Sequence, residues 1–152
     1  MRILVLALGN DLFGDDAVAF LVADEISSSL PEDSVNVIKS SESGLHLLDY
    51  FLMGYDHIIL VDSIVGEEVG RIVQIDPKSL RRSLAPSPHY SGLPEILALL
   101  DEIGEDLPEV EIYAIVIREP SLGSPISDDV KVAAKKLAEI LLERISQILR
   151  AS

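Results

Sequence analysis

The chain contains no cysteine. That excludes a disulfide framework, a thiolate nucleophile and a cysteine-ligated zinc site. Basic residues are scarce as well: 12 Lys and Arg stand against 26 Asp and Glu, giving a formal net charge of −14. No face can gather enough cations to neutralise phosphates, and the overall field repels them, so no nucleic-acid partner is expected. The adjacent basic pairs Arg81-Arg82 and Lys135-Lys136 read as solvated surface. No uncharged stretch approaches the roughly 20 residues of a membrane helix. The apolar opening run has only Arg2 as a basic residue before it and ends in Gly9-Asn10-Asp11, unlike a secretory signal. A cytoplasmic location with no membrane partner is therefore expected. Several catalytic signatures are missing too: there is no GxSxG nucleophile elbow, no HExxH zinc helix, no GxGxxG and no P-loop.

What the chain does contain is an apolar, well-patterned globular composition. Of its 152 residues 48% are hydrophobic and 25% charged, enough for one domain (1–152) with a real core. Asn, Gln and Met occur twice each, as in heat-adapted proteins. Strand-like runs are predicted at 3–8, 34–39, 57–62, 70–75 and 110–117. Helices are predicted at 15–30, 44–53 and 92–103. A long final helix is capped by Ser127, carries Asp128 and Asp129 in its first turn, and buries Val130, Ala133, Ala134, Leu137, Ile140, Leu141, Ile145 and Ile148. Too few residues separate 57–62 from 70–75 for a parallel crossover, so the later strand should run antiparallel to the earlier one. The alternation predicts a three-layer α/β/α sandwich around a mostly parallel sheet.

In such sheets ligands sit beyond the carboxyl ends of the strands. Three candidate side chains belong to that edge: Asp16 after the first strand, Asp62 ending the HIILVD run, and His89 in the loop APSPHYSG. Two carboxylates and an imidazole form a mixed oxygen and nitrogen set suited to zinc or a nickel-like divalent ion. Each also has a purely structural reading. Asp16 could stabilise a helix start, Asp62 could bond loop amides, and His89 could be a surface histidine. His46 and His57 read as structural, the first on a leucine-rich helix face and the second at a strand edge.

Together with their flanks these residues resemble the [NiFe]-hydrogenase maturation endopeptidases. The family's GN-x-L-x-x-D-(D/E) opening corresponds to Gly9, Asn10, Leu12, Asp15 and Asp16. Its apolar strand ending in Asp corresponds to IILVDSIV with Asp62, and its S-P-H segment to Ser87, Pro88 and His89. The resemblance covers essentially the whole chain. It implies an α/β/α sandwich around five strands, one of them antiparallel. It further implies that Asp16, Asp62 and His89 are the metal-contacting and catalytic positions, with Asp15 supporting the loop. The implied activity is removal of the C-terminal extension from a [NiFe]-hydrogenase large-subunit precursor after nickel insertion. The nickel arrives with that substrate, and zinc or another divalent ion could occupy the site in vitro. A monomer is the default expectation. A non-enzymatic nickel-binding or precursor-holding chaperone would use the same residues, whereas a small-molecule-binding domain would have no metal affinity. The chain departs from the family at Ser40-Ser41-Glu42, where a Gly-Gly-Thr-type segment tied to substrate choice is common, and at Ala17 and Tyr90. The REPSLGSPIS loop is also shorter than usual.

Overall fold

A computed structural model of the protein describes residues 1–42, 44–77, 102 and 107–152. The predicted helix at 92–103, apart from Glu102, lies outside the described residues, as do the preceding proline loop and His89. Five strands form one sheet: β1 (Ile3–Leu8), β2 (Val35–Ser40), β3 (His57–Val65), β4 (Ile72–Ile75) and β5 (Glu109–Ile117), in the order β2-β1-β3-β5-β4. The first four in that order are mutually parallel, and β4 runs antiparallel to β5 on the edge. The described helices are α1 (Val18–Ser27), α2 (Leu48–Phe51) and α3 (Asp128–Arg150).

Strict two-residue alternation explains the layers. In β1 every residue is fully buried, as expected for a strand covered on both faces. Ile3, Val5 and Ala7 join Ile59, Val61, Tyr113, Ile115 and Ile117 in a core shared with α1 and α3. Leu4, Leu6 and Leu8 join Ile58, Leu60 and Ile112 in a second core on the opposite face, closed by Leu47, Phe51 and Tyr55. Each buried aliphatic side chain contributes about 1.5–3 kcal/mol of transfer free energy. Helix α3 packs across α1 through a stripe that includes the small residues Ala133, Ala134 and Ala138. Ile140, predicted on that stripe, is instead 39% exposed, and Ala138 takes the inward position. At 3.6 residues per turn the periodic reading had to choose among neighbouring apolar positions, and Ala138 was the better-facing one.

Strand β4 has the predicted direction, but its partner is β5 rather than β3. The connection after Val65 bonds to the end of β5 (Gly66 N–H to Ile117 O, 3.0 Å; Gly70 N–H to Val116 O, 2.8 Å), which carries the chain past β5 to the outer edge. Strand β3 is also longer than predicted. It pairs with β1 only as far as Val61, but with β5 as far as Val65. Asp62 therefore does not end a strand. It is the first residue of β3 past the register paired with β1, level with Leu8, the last residue of β1, at the carboxyl edge where the strand order reverses. Among the described residues, no helix is long and apolar enough to cross a membrane.

Candidate active site

The loop after β1 explains each residue of its motif. Asn10 Oδ1 accepts the Leu12 amide (2.9 Å), an Asx turn that reverses the chain. The turn is closed by Phe13 N–H to Asn10 O (3.2 Å), Asp16 N–H to Phe13 O (2.9 Å) and Asn10 N–H to Asp16 O (3.3 Å). Gly9 is required by proximity: a Cβ there would lie 2.5 Å from the backbone oxygen of Asp16. Gly14 is required by its positive φ of 46° and by the backbone of Ser124, 2.8 Å from an added Cβ. Asp15 and Asp16 then lie in a 3-10 turn, Gly14–Ala17, which leads into α1.

The two adjacent acids have different tasks. Asp15 is buried, at 9% exposure, and accepts the backbone N–H (2.7 Å) and hydroxyl (3.1 Å) of Ser127. It thereby ties the motif loop to the start of α3, the supporting role expected of it. Ser127 occupies the N-cap of α3 but makes no side-chain cap bond; its hydroxyl donates to Asp15 instead. Asp16 is half-buried and accepts the hydroxyl of Ser63 on β3 (Oγ to Oδ1, 2.8 Å). Asp62 is fully buried and accepts the Ser63 amide (2.7 Å). Two carboxylates distant in sequence thus lie one hydrogen bond each from the same residue.

Alternation assigns Ser63 to the α1 face of the sheet and Asp62 to the face of Ile58 and Leu60. Asp62 and the Ser63 hydroxyl that bonds Asp16 therefore lie on opposite faces of the sheet, both at its carboxyl edge. Among the described residues, no group of three or more His, Cys, Asp or Glu side chains converges as a metal site. The third expected position, His89, lies outside those residues. Sequence reasoning did not single out Ser63; its one signal is a hydroxyl directly after Asp62 in an otherwise apolar strand.

A second buried polar cluster lies at the opposite, amino end of the sheet. Glu111 on β5 has a side chain only 13% exposed. It receives Arg144 of α3 (Nε to Oε1 and Nη2 to Oε2, both 2.9 Å), the Tyr113 hydroxyl (2.8 Å) and His57 Nε2. Burial pushes the Glu111 carboxyl up, but the hydrogen bonds from Arg144, Tyr113 and His57 outweigh it and hold the group below the usual glutamate range. Burial, reinforced by the bond to Glu111, pushes the Tyr113 hydroxyl up to about 12. His57 is therefore structural, as expected, but buried in an ionic cluster rather than sitting at an open strand edge. His46 is exposed, whereas the neighbouring Leu47 is fully buried.

The buried strand, the Asx-turn loop and the two acids lie in a chain that is similar to known proteins over nearly its whole length. The hydrogenase maturation protease family model (HycI) matches residues 21–144. The chain belongs to that family. This protease is 27% identical to the hydrogenase 2 maturation protease of Escherichia coli K12, across 100% of this chain and 93% of that protein. It is 28% identical to protein FrxA of Pyrococcus furiosus, across 88% and 98% respectively. Among solved structures it resembles the hydrogenase maturating endopeptidase HybD from E. coli, with a TM-score of 0.81 and 26% identity over 97% of this chain and 93% of that one. It is also similar to a [NiFe] hydrogenase maturation protease, HybD, from Thermococcus kodakarensis, with a TM-score of 0.73, 27% identity and coverage of 94% and 98%. The protease is thus an endopeptidase of hydrogenase maturation with the mixed five-stranded sheet expected of it. Family membership sets aside both the chaperone and the small-molecule-binding readings.

The placement of Gly9 makes a stability prediction. Gly9→Ala forces a Cβ against the Asp16 carbonyl, and overpacking of this kind costs about 1–3 kcal/mol. At about 2–4 °C per kcal/mol for a domain of this size, the melting temperature should fall by several degrees in a thermal scan. An unchanged melting temperature would show that the loop yields freely.

Proposed function

We propose that the protease removes the C-terminal extension of a [NiFe]-hydrogenase large-subunit precursor after nickel has been inserted. In this reading the metal belongs to the substrate. Asp16, Asp62 and His89 grip the nickel that the precursor carries, and the scissile bond is fixed beside it. The ion polarises the scissile carbonyl and acidifies a water, and one of the carboxylates takes the proton. The observation that supports this most is the shared link to Ser63: each of Asp16 and Asp62 is one hydrogen bond from that residue at the carboxyl edge of the sheet. Two oxygen donors of this kind suit a divalent cation, and an imidazole from a third loop would complete a nickel- or zinc-compatible set. Free nickel or zinc can occupy the same donors in vitro.

The test is incubation with nickel-loaded large-subunit precursor, followed by mass spectrometry. A precursor shortened at its C-terminus is expected, with no shortening of precursor lacking nickel. His89→Ala should abolish the reaction. Processing by His89→Ala at the wild-type rate would overturn the assignment of the imidazole, and cleavage independent of nickel would overturn the role of the metal.

A further inference from the structure

Resting on that function, we infer that Ser63 is a positioning residue: its hydroxyl fixes the carboxylate of Asp16 for the metal while its amide fixes that of Asp62. The side chain is 3% exposed and follows the apolar run from Ile58 to Val61 in β3. An aliphatic residue would suit that environment better, because a buried hydroxyl is costly unless it is bonded. Its bond goes to Asp16 rather than to the local backbone. Breaking a local packing rule in this way is expected where a site, rather than the fold, sets the residue.

The two bonds differ in what a substitution can reach. Asp62 is held by the backbone N–H of Ser63, which any residue but proline supplies. Asp16 is held by the side chain, so Ser63→Ala deletes one orienting bond and leaves the other in place. A donor to a metal-binding carboxylate fixes its rotamer and decides which oxygen faces the ion. Loss of such a partner commonly costs 10–100-fold in metal affinity or activity. The geometry therefore points to an effect on turnover that passes through Asp16.

The experiment compares wild type, Ser63→Ala and Ser63→Thr on nickel-loaded precursor, separating kcat from KM, with a thermal scan of each protein. Ser63→Ala should lower kcat about 10–100-fold with little change in KM. Ser63→Thr, which restores the hydroxyl on a strand that accepts β-branched residues, should recover most of the loss. Wild-type turnover by Ser63→Ala would overturn the inference, as would equal losses in both variants or a change confined to KM. Nickel titration of wild type and Ser63→Ala by calorimetry gives a readout independent of cleavage, with weaker binding expected in the variant. If wild type leaves the precursor intact, the proposed function fails. The calorimetry then decides the positioning role alone, and equal nickel affinities, or none in either protein, would overturn it.

Discussion

Asp62→Asn is expected to lower kcat on nickel-loaded precursor by about 10²–10⁴-fold, the range for losing a positioned acid or base, while leaving the fold intact. The asparagine side chain keeps an oxygen where Asp62 Oδ1 accepts the Ser63 amide, so β3 retains this bond. What disappears is the negative charge at the carboxyl edge of the sheet. In the proposed function Asp62 is both a metal donor and a candidate base, and a neutral amide in its place would affect both tasks. Turnover measured by mass spectrometry, beside a thermal scan, separates the two effects. A variant that folds and cleaves at the wild-type rate would remove Asp62 from the mechanism. A variant that loses activity only because it unfolds would show that the buried acid is structural.

Arg144→Ala is expected to be strongly destabilising. Glu111 would keep its buried carboxylate and lose a two-pronged partner that also joins α3 to β5. Removing one member of a buried ion pair costs about 3–5 kcal/mol. The Arg144 side chain is 38% exposed, and water can screen part of the loss, which favours the lower end. At about 3 kcal/mol the melting temperature should drop by about 6–12 °C at neutral pH. The same cluster sets a pH dependence. The folded Glu111 carboxyl lies below its unfolded value, so its contribution to stability is present above the unfolded glutamate pKa and is lost as pH falls through the folded one. Thermal scans from pH 7 downward should therefore show wild type and Arg144→Ala converging in acid. A gap that stays constant to low pH would mean that Arg144 acts through packing of its stem rather than through its charge.

Much of this architecture was legible from residue order. Ile3 to Leu8 could only be a strand buried on both faces, and the acids in Asp128 and Asp129 marked the start of α3. The short connection after β3 set the direction of β4 but not its neighbour, because pairing with β5 depends on a strand more than thirty residues later in the chain. The link between Arg144 and Glu111 was invisible for a related reason. Neither residue has a local pattern that distinguishes it from the many solvated charges of this acidic chain. Ser63 and the helix position taken by Ala138 rather than Ile140 needed three-dimensional placement as well.

Residue order alone determined the sheet's composition, the buried faces of its strands and the chemical types of the candidate donors. These follow from periodicity, turn chemistry and ligand preference, which act over a few residues at a time. Only the tertiary structure decided that β3 runs on past β1 along β5, and that one serine bonds both Asp16 and Asp62 at the carboxyl edge. Those facts depend on where separate strands end in space, and local propensity carries no record of that.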